Sequence, residues 1–562
     1  MARAPIPGAY ARAGWRVLSQ ALKTALPGLD RASLVKFPMP SNAPIAVELT
    51  LHPDVLLDDA QLRERAAQAA HVKATAVTGV RITRRTIDAR HGKVRVIVQA
   101  EVLTGGSAAP DVSTSGGHDM KVMHGEPGVV VVGAGPAGLF CALRLAERGL
   151  RCVLLERGQP VGLRRHDVAK LSQRGELNPE SNYCFGEGGA GTFSDGKLYT
   201  RASKRGNVED VLNAFVRYGA TSDILVNARP HIGTNRLPKV VTALREQLEA
   251  VGQRVVFGAR VDGLLRNGSD VRGVRLADGT TIEARAVVLA TGHSANDVYE
   301  WLAREGVQLA FKPFALGVRV EHDQAFIDRT QYGALAGHPA LGSAPYRVVV
   351  QACGVGVFSF CMCPGGFIVP AATSNEQQVV NGWSPSSRRG RFANSGLVVE
   401  VGASELANVG LDASDPFAGV TYQRMVEQRA FQAGGGAFVA PAQRLSDLRA
   451  GRASKDLPET SYPRGVVPAR LDTVLGKLAE PLREALGRID RNMPGYAGHE
   501  TIAVGVESRT SSPIRIERDR ENLQAPGLKG LYPCAEGAGY AGGIMSAALD
   551  GMRIADAIAA GQ

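Results

Sequence analysis

No apolar run in this 562-residue chain approaches the roughly 18 residues of a membrane-spanning helix. No CxxC pair occurs among its seven cysteines. The closest two are Cys361 and Cys363, so the spacing of a zinc site is missing and no metal is expected. Neither an HExxH motif nor a Ser-His-Asp order is present, which sets aside the commonest hydrolytic constellations. There is no run of five basic residues and no basic stretch interleaved with aromatics. The net charge of +11, from 65 Lys+Arg against 54 Asp+Glu, therefore reads as general basic composition, and a nucleic-acid partner is not expected. An odd cysteine count without a secretory signal points to a reducing compartment, so the cytoplasm is the expected location.

What is present is the composition of a folded chain, 44% hydrophobic and 21% charged, and too long for one core. Residues 1–43 form a basic tail with no acid before Asp30; Trp15, Leu18, Leu22 and Leu26 fall at helical spacing. The tail reads either as a transit or membrane-surface segment or as an end that is disordered or packed on a domain, and the second reading is the one expected here. Residues 44–103 read as a small α+β module: strands at Ala46–Leu51, Val77–Ile87 and Lys93–Leu103 and a helix at Asp58–His71, with Asp58 as its N-cap. A Gly/Ser/Thr/Pro linker, 104–127, follows.

From Gly128 the texture becomes strand, glycine loop, helix. In Val129-Val-Val-Val-Gly133-Ala-Gly135-Pro136-Ala137-Gly138 the first glycine turns the chain out of the strand. Gly135 leaves room for a pyrophosphate, and Gly138 lets the helix pack on the sheet. The next strand ends in Glu156-Arg157, where a carboxylate suits the adenosine ribose hydroxyls and repels a 2′-phosphate. Two later segments select FAD over NAD. Ala286–Gly292 is a buried strand running into Thr291-Gly292. Gly530–Gly551 carries strand, Glu536, a glycine cluster and a helix after Gly543-Ile544. Glu536 suits a ribityl hydroxyl, and that helix N-terminus suits the flavin pyrimidine edge, where reduction builds negative charge. The glycine-dense stretch Asn182–Leu198, with Gly189 and Gly191, reads as a wall of the flavin pocket. The fold expected is therefore α/β, a Rossmann-type FAD-binding domain (128–312 and 499–562) with an inserted α+β substrate domain (313–498) and a small N-terminal α+β, ferredoxin-like module.

The segments Gly186–Arg201, Arg319–Gly333, Ser359–Gly366, Glu507–Ile516 and Gly530–Gly551 resemble those of a bacterial family of uncharacterised FAD-dependent dehydrogenases. Arg84–Arg90 matches its N-terminal module, so the resemblance runs from about Pro44 to the end. It implies FAD, a two-part fold and redox chemistry, and no particular substrate. Ala535 stands where that family usually shows glycine.

The candidates for catalysis are Lys197, Cys361, Cys363 and Arg509. Lys197 suits the flavin N1–O2 edge or an anionic substrate, or is simply solvated or salt-bridged. Cys361 and Cys363 share a strand face and either exchange electrons with the flavin or are structural thiols. Arg509, followed by three hydroxyl residues, suits a carboxylate or the flavin ring, or belongs to a turn. His293 is a contact or acid–base residue, or a structural histidine. With no second GxGxxG after Glu156, NAD(P)H is expected only as a transient donor over the flavin. The activity expected is hydride transfer between flavin and an unidentified small-molecule substrate. FAD-dependent RNA modification and a low-turnover flavin sensor or scaffold are the other two readings. Substrate and oligomeric state are not encoded in these motifs.

Overall fold

The computed structural model describes residues 43–105, 120–200 and 206–561. The basic tail (apart from Ala43) and most of the expected linker lie outside the described residues. The N-terminal module comprises β1 (Ile45–Leu51), α1 (Asp59–Ala70), β2 (Val77–Asp88) and β3 (Arg95–Thr104), in an antiparallel sheet of order β1-β3-β2. Asp58 caps α1, its Oδ1 accepting the N–H of Ala60 at 2.9 Å and of Gln61 at 3.0 Å. Every second residue of β3, from Val96 to Val102, is buried. That order is the one in a ferredoxin-like sheet, without its fourth strand and second helix. The module is fastened to the rest through Arg85, whose Nε and Nη2 donate to Asn227 Oδ1 at 3.1 and 2.9 Å.

The nucleotide-binding unit begins with β4 (Val129–Val132), α2 (Pro136–Glu147), β5 (Cys152–Glu156), α3 (Val161–Arg174), α4 (Leu237–Ala250) and β6 (Arg254–Phe257). A three-stranded meander, β7 (Val261–Asn267), β8 (Asp270–Leu276) and β9 (Thr281–Glu283), leads into β10 (Ala286–Leu289). The chain then passes through β11 (Leu309–Phe311) into β12 (Phe314–Asp323), β13 (Val349–Ala352), β14 (Val355–Pro370), β15 (Val380–Trp383), β16 (Phe392–Val401), α5 (Ala418–Ala433), β17 (Ala440–Arg444), β18 (Val466–Pro468) and β19 (Ile502–Glu507). It returns with β20 (Ile514–Ile516), β21 (Leu531–Pro533) and α6 (Ile544–Ala560).

The all-parallel sheet has the order β21-β10-β4-β5-β6. Strands β4, β5 and β10 are buried throughout, which is why they read as unbroken runs of Val and Leu rather than as alternation. Its edge strand β21 and covering helix α6 come from the C-terminal end of the chain. Helices α2 and α6 cross so closely that a Cβ on Gly551 would lie 2.1 Å from the Ala137 carbonyl oxygen. The inserted domain is a largely antiparallel sheet of order β13-β14-β16-β12-β19-β17-β18, with β15 on β14. Here the structure departs from the boundary expected at 499. Ile502–Glu507 pairs with β12 and β17, so it belongs to the inserted sheet, and the chain re-enters the nucleotide-binding unit after it, at β20 on β11. Its apolar pattern is that of a buried strand, and pattern alone does not say in which sheet a buried strand lies.

One buried ion pair fixes the returning segment. Asp550 on α6 is fully buried and takes Arg518 bidentately at 2.9 and 3.0 Å, and its Oδ2 also accepts the Ala535 N–H at 2.7 Å. Removing one member of such a pair strands the other charge. Asp550→Ala is therefore expected to cost about 3–5 kcal/mol, read as a lower Tm of the FAD-loaded protein by differential scanning fluorimetry.

Candidate functional site

A long cleft runs across the carboxyl ends of β4, β5 and β10, where ligands sit in open α/β sheets. Its walls include Gly133, Gly135, Pro136, Ala137, Glu156, Arg157, Gly189, Gly191, Thr291, Gly292, Glu536, Gly543 and Ile544, every one a residue singled out in the sequence as a cofactor contact. Gly138 is the exception: it lies under the loop, where a Cβ would fall 1.9 Å from the Gly133 carbonyl oxygen, so its work is helix packing. Gly133 has φ 103, and a Cβ there would be 2.4 Å from the Ala290 carbonyl oxygen. At Gly135 no protein atom comes closer than 3.8 Å to a Cβ. Protein packing does not demand that glycine; the open space of the cleft does. It is also the N-cap of α2, without a side-chain cap, so the helix N-terminus faces the cleft with free N–H groups.

Three polar groups show that the cleft fits a dinucleotide. Thr291 Oγ1 is buried on its wall without a hydrogen-bond partner. Glu536 faces the cleft with no side-chain hydrogen bond among the described residues. Burial pushes its carboxyl up to about 7 against the pull of Lys312. Such a group is completed by a donor such as a ribityl hydroxyl. Glu156 accepts three backbone N–H groups, from Ala134, Gly158 and Gly186, each at 2.9 Å, which fixes its carboxylate on the cleft wall at the end of β5. Arg157 lines the cleft beside it, stacked on Phe185 at 4.4 Å and paired with Glu180 and Asp297.

At the far end, the glycine loop and the inserted sheet bring together residues distant in sequence. Lys197 Nζ is 3.1 Å from Asp195 Oδ2 and 3.7 Å from both Cys361 Sγ and Cys363 Sγ. Burial disfavours the ammonium, but Asp195 and the two thiols outweigh it and raise its pKa. Arg388 also grips Asp195, at 2.6 Å. Behind the cysteines, Arg319 on β12 donates to Glu507 at 2.8 Å and to the Cys361 carbonyl at 2.6 Å. Neither Asp195, Arg388, Arg319 nor Glu507 was singled out for this site in the sequence; only the fold assembles them.

Arg509, read in the sequence as an anchor for a carboxylate or the flavin ring or as part of a turn, lies off the main cleft. Its guanidinium is committed to Glu427, at 3.0 and 3.1 Å, and to Thr373 and Gln377, and it lines a second, smaller cavity rather than the cleft. The hydroxyls that follow it hold a turn: Thr510 donates to the Ala315 carbonyl and Ser512 to that of Ile514. The second cavity lies between the cleft and the inserted sheet and shares Cys184, Ala190, Ser194 and His293 with the cleft. His293 Nδ1 is 2.7 Å from Ser294 Oγ. Burial and then Arg509 push its pKa down to about 4, so the ring is neutral at pH 7.

Comparison with known proteins agrees with this geometry. Residues 128–170 match the FAD binding domain family, 230–368 the FAD dependent oxidoreductase family, and 313–510 the family described as FAD-dependent protein, C-terminal domain-like. Residues 44–103 match a domain of unknown function. An uncharacterised protein of Clostridium beijerinckii is 42% identical over 434 residues, 76% of this chain and 80% of that one. The chain belongs to this family of FAD-dependent oxidoreductases. FAD is its cofactor. The oxidoreductase is also 31% identical to the probable electron transfer flavoprotein-quinone oxidoreductase YdiS of Escherichia coli, over 29% of this chain and 36% of that protein. Among solved structures, L-proline dehydrogenase from P. horikoshii superposes with a TM-score of 0.32 and 12% identity, over 78% of this chain and 94% of that one, a match too loose to carry function.

Ala535 adopts φ 56. A Cβ in that region is strained, so Ala535→Gly is expected to raise the stability of the oxidoreductase by about 0.5–1 kcal/mol, measured as a higher Tm. The two glycines of α2 separate cofactor from fold. Gly135→Val is expected to cost the cofactor-free protein no more than the ~1 kcal/mol of a poorer N-cap and to lower FAD affinity at least about tenfold. Gly138→Val is expected to destabilise the cofactor-free protein itself. Fluorescence titration with FAD and thermal scans distinguish the two.

Proposed function

We propose that the protein transfers a hydride between FAD and a small-molecule substrate held in the cavity between the FAD cleft and the inserted sheet. The observation that carries this reading is the shared wall: Cys184, Ala190, Ser194 and His293 belong to both spaces, so a molecule in the cavity lies against whatever fills that part of the cleft. Bound FAD supplies two-electron chemistry that no side chain of the protein supplies. The chain supplies binding and proton handling. Tyr183 and Trp383, with ring centroids 4.8 Å apart, and Val369, Ala371 and Val379 give the cavity an apolar and aromatic lining. Neutral His293 is placed to take a proton from a substrate as its hydride leaves. Arg509, locked by Glu427, adds positive potential beside it without a free donor fork. All seven thiols are free, which suits the reducing compartment expected from the sequence.

The test works with a substrate still unidentified. The FAD-loaded protein is mixed anaerobically with a panel of amines, amino acids and 2-hydroxy acids, and separately with NADH and NADPH. At least one donor is expected to bleach the flavin absorbance. Ala371→Val, whose two added methyl groups take up a cavity of about 30 Å³, is expected to abolish bleaching by that donor while flavin content stays unchanged. His293→Ala is expected to slow it by about 100-fold. Equal bleaching of the filled variant contradicts the assignment of the cavity.

A further inference from the structure

The pairing of β14 with β16 shifts register on both sides of Cys363, between Phe360 and Cys363 and between Cys363 and Gly366. Cys361 itself has φ 42, a conformation a cysteine rarely adopts. Irregularities of this kind re-aim side chains beside functional sites. Here both sulfurs come to lie 3.7 Å from the same ammonium nitrogen, that of Lys197. Cys361 forms part of the cleft wall together with Lys197 and Glu536, while Cys363 is buried behind it, with Arg319 Nη2 3.5 Å from its sulfur. We propose that Cys361 is a nucleophilic thiolate on the wall of the FAD cleft, activated by Lys197, and that it takes electron-poor carbon electrophiles.

The charges around it have been arranged from four elements. Lys197 on the glycine loop and Arg319 on β12 favour the thiolate. Asp195 on the loop, Glu507 on β19 and Glu536 after β21 oppose it, and Arg388 neutralises part of Asp195. The neighbouring Cys363 thiol, Lys197 and Arg319 hold Cys361 below the ordinary thiol range against burial, whereas burial and Cys361 push Cys363 above it; the Cys363 S–H itself is donated to the Cys361 carbonyl, at 3.2 Å. A thiolate with a buried thiol behind it and an ammonium beside it is the arrangement of a reactive cysteine, not of an inert core thiol. In the reaction with a carbon electrophile such as iodoacetamide, the Cys361 sulfur pair forms the new C–S bond, the C–I bond breaks and iodide leaves with its electron pair. The Cys363 proton is not consumed.

The molecule contains its own control. Cys353 is exposed, but its Sγ lies 3.0 Å from Glu484 Oε2, and that carboxylate pushes the thiol up to about 11. The proposal rests on the cleft being the FAD site, so flavin content is measured alongside. In FAD-loaded protein at pH 6, the far-ultraviolet thiolate absorbance is expected to fall by one thiolate per chain in Cys361→Ser and in Lys197→Met. Iodoacetamide, followed by peptide mass spectrometry, is expected to label Cys361 of the FAD-loaded protein at least about tenfold faster than Cys353 at that pH. Wild-type and Cys361→Ser proteins with equal flavin content and equal thiolate absorbance would overturn the proposal. Loss of flavin from the wild type would instead count against the cofactor assignment.

Discussion

The cleft depends on one buried cation. Arg164 on α3 is fully buried, and its guanidinium donates to the carbonyls of Asn182, Tyr183, Gly186 and Glu187 at 2.7 to 3.2 Å. Burial lowers its pKa to about 10, which still leaves it charged at neutral pH. A buried charge persists only when its donors are met, and here the glycine-rich loop meets them by folding around the side chain. Gly186 is obligatory for that reason: at φ 115, a Cβ there would be 2.4 Å from Arg164 Cδ. Glu187 completes the clamp, accepting the Val161 N–H and the Arg245 Nε–H, each at 2.7 Å. With 182–187 pinned to α3, Gly189 and Gly191 reach the cleft wall and Asp195 and Lys197 reach the inserted sheet.

From that anchor the electrostatics of the site follow a gradient. The ribose end is shaped by Glu156, satisfied by backbone N–H groups. The middle is the uncharged helix N-terminus of α2 and the orphan hydroxyl of Thr291. The far end concentrates Lys197, Asp195, Arg388, Arg319 and Glu507 around two sulfurs, where low local dielectric makes each pairing count. An FAD molecule laid along this path would have its anionic pyrophosphate on free N–H groups and its redox-active ring among groups able to respond to charge.

Much of this was legible in the sequence, and for physical reasons. The fingerprint from Gly133 to Glu156 is local: strand, turn and helix are consecutive, and each glycine answers to a contact within the same unit. Glu536 and the helix after Gly543 carry the same local logic, and the fold brings them to the same cleft. The strand Ile502–Glu507 was assigned to the other sheet because a buried strand looks alike in any sheet. The choice among the readings of Arg509 stayed open in the sequence because its partners, Thr373, Gln377 and Glu427, are more than eighty residues away, and a motif of Arg and hydroxyls does not reveal them. The same holds for Arg164, an ordinary basic residue on an amphipathic helix until the loop closes over it. Cys361 and Cys363 were read together as thiols on one strand face, and Lys197 apart from them; that the bulged β14 turns both sulfurs toward that lysine is a property of register, which sequence periodicity does not specify.

The most direct test of this account is a crystal structure of the protein with FAD bound. The adenosine ribose is predicted on Glu156, a ribityl hydroxyl within about 3 Å of the Glu536 carboxylate, and the isoalloxazine against Lys197 and Cys361 with one face open to the cavity beside His293. An isoalloxazine directed away from Lys197 and Cys361, or a cofactor that leaves Glu536 without a donor, would contradict it.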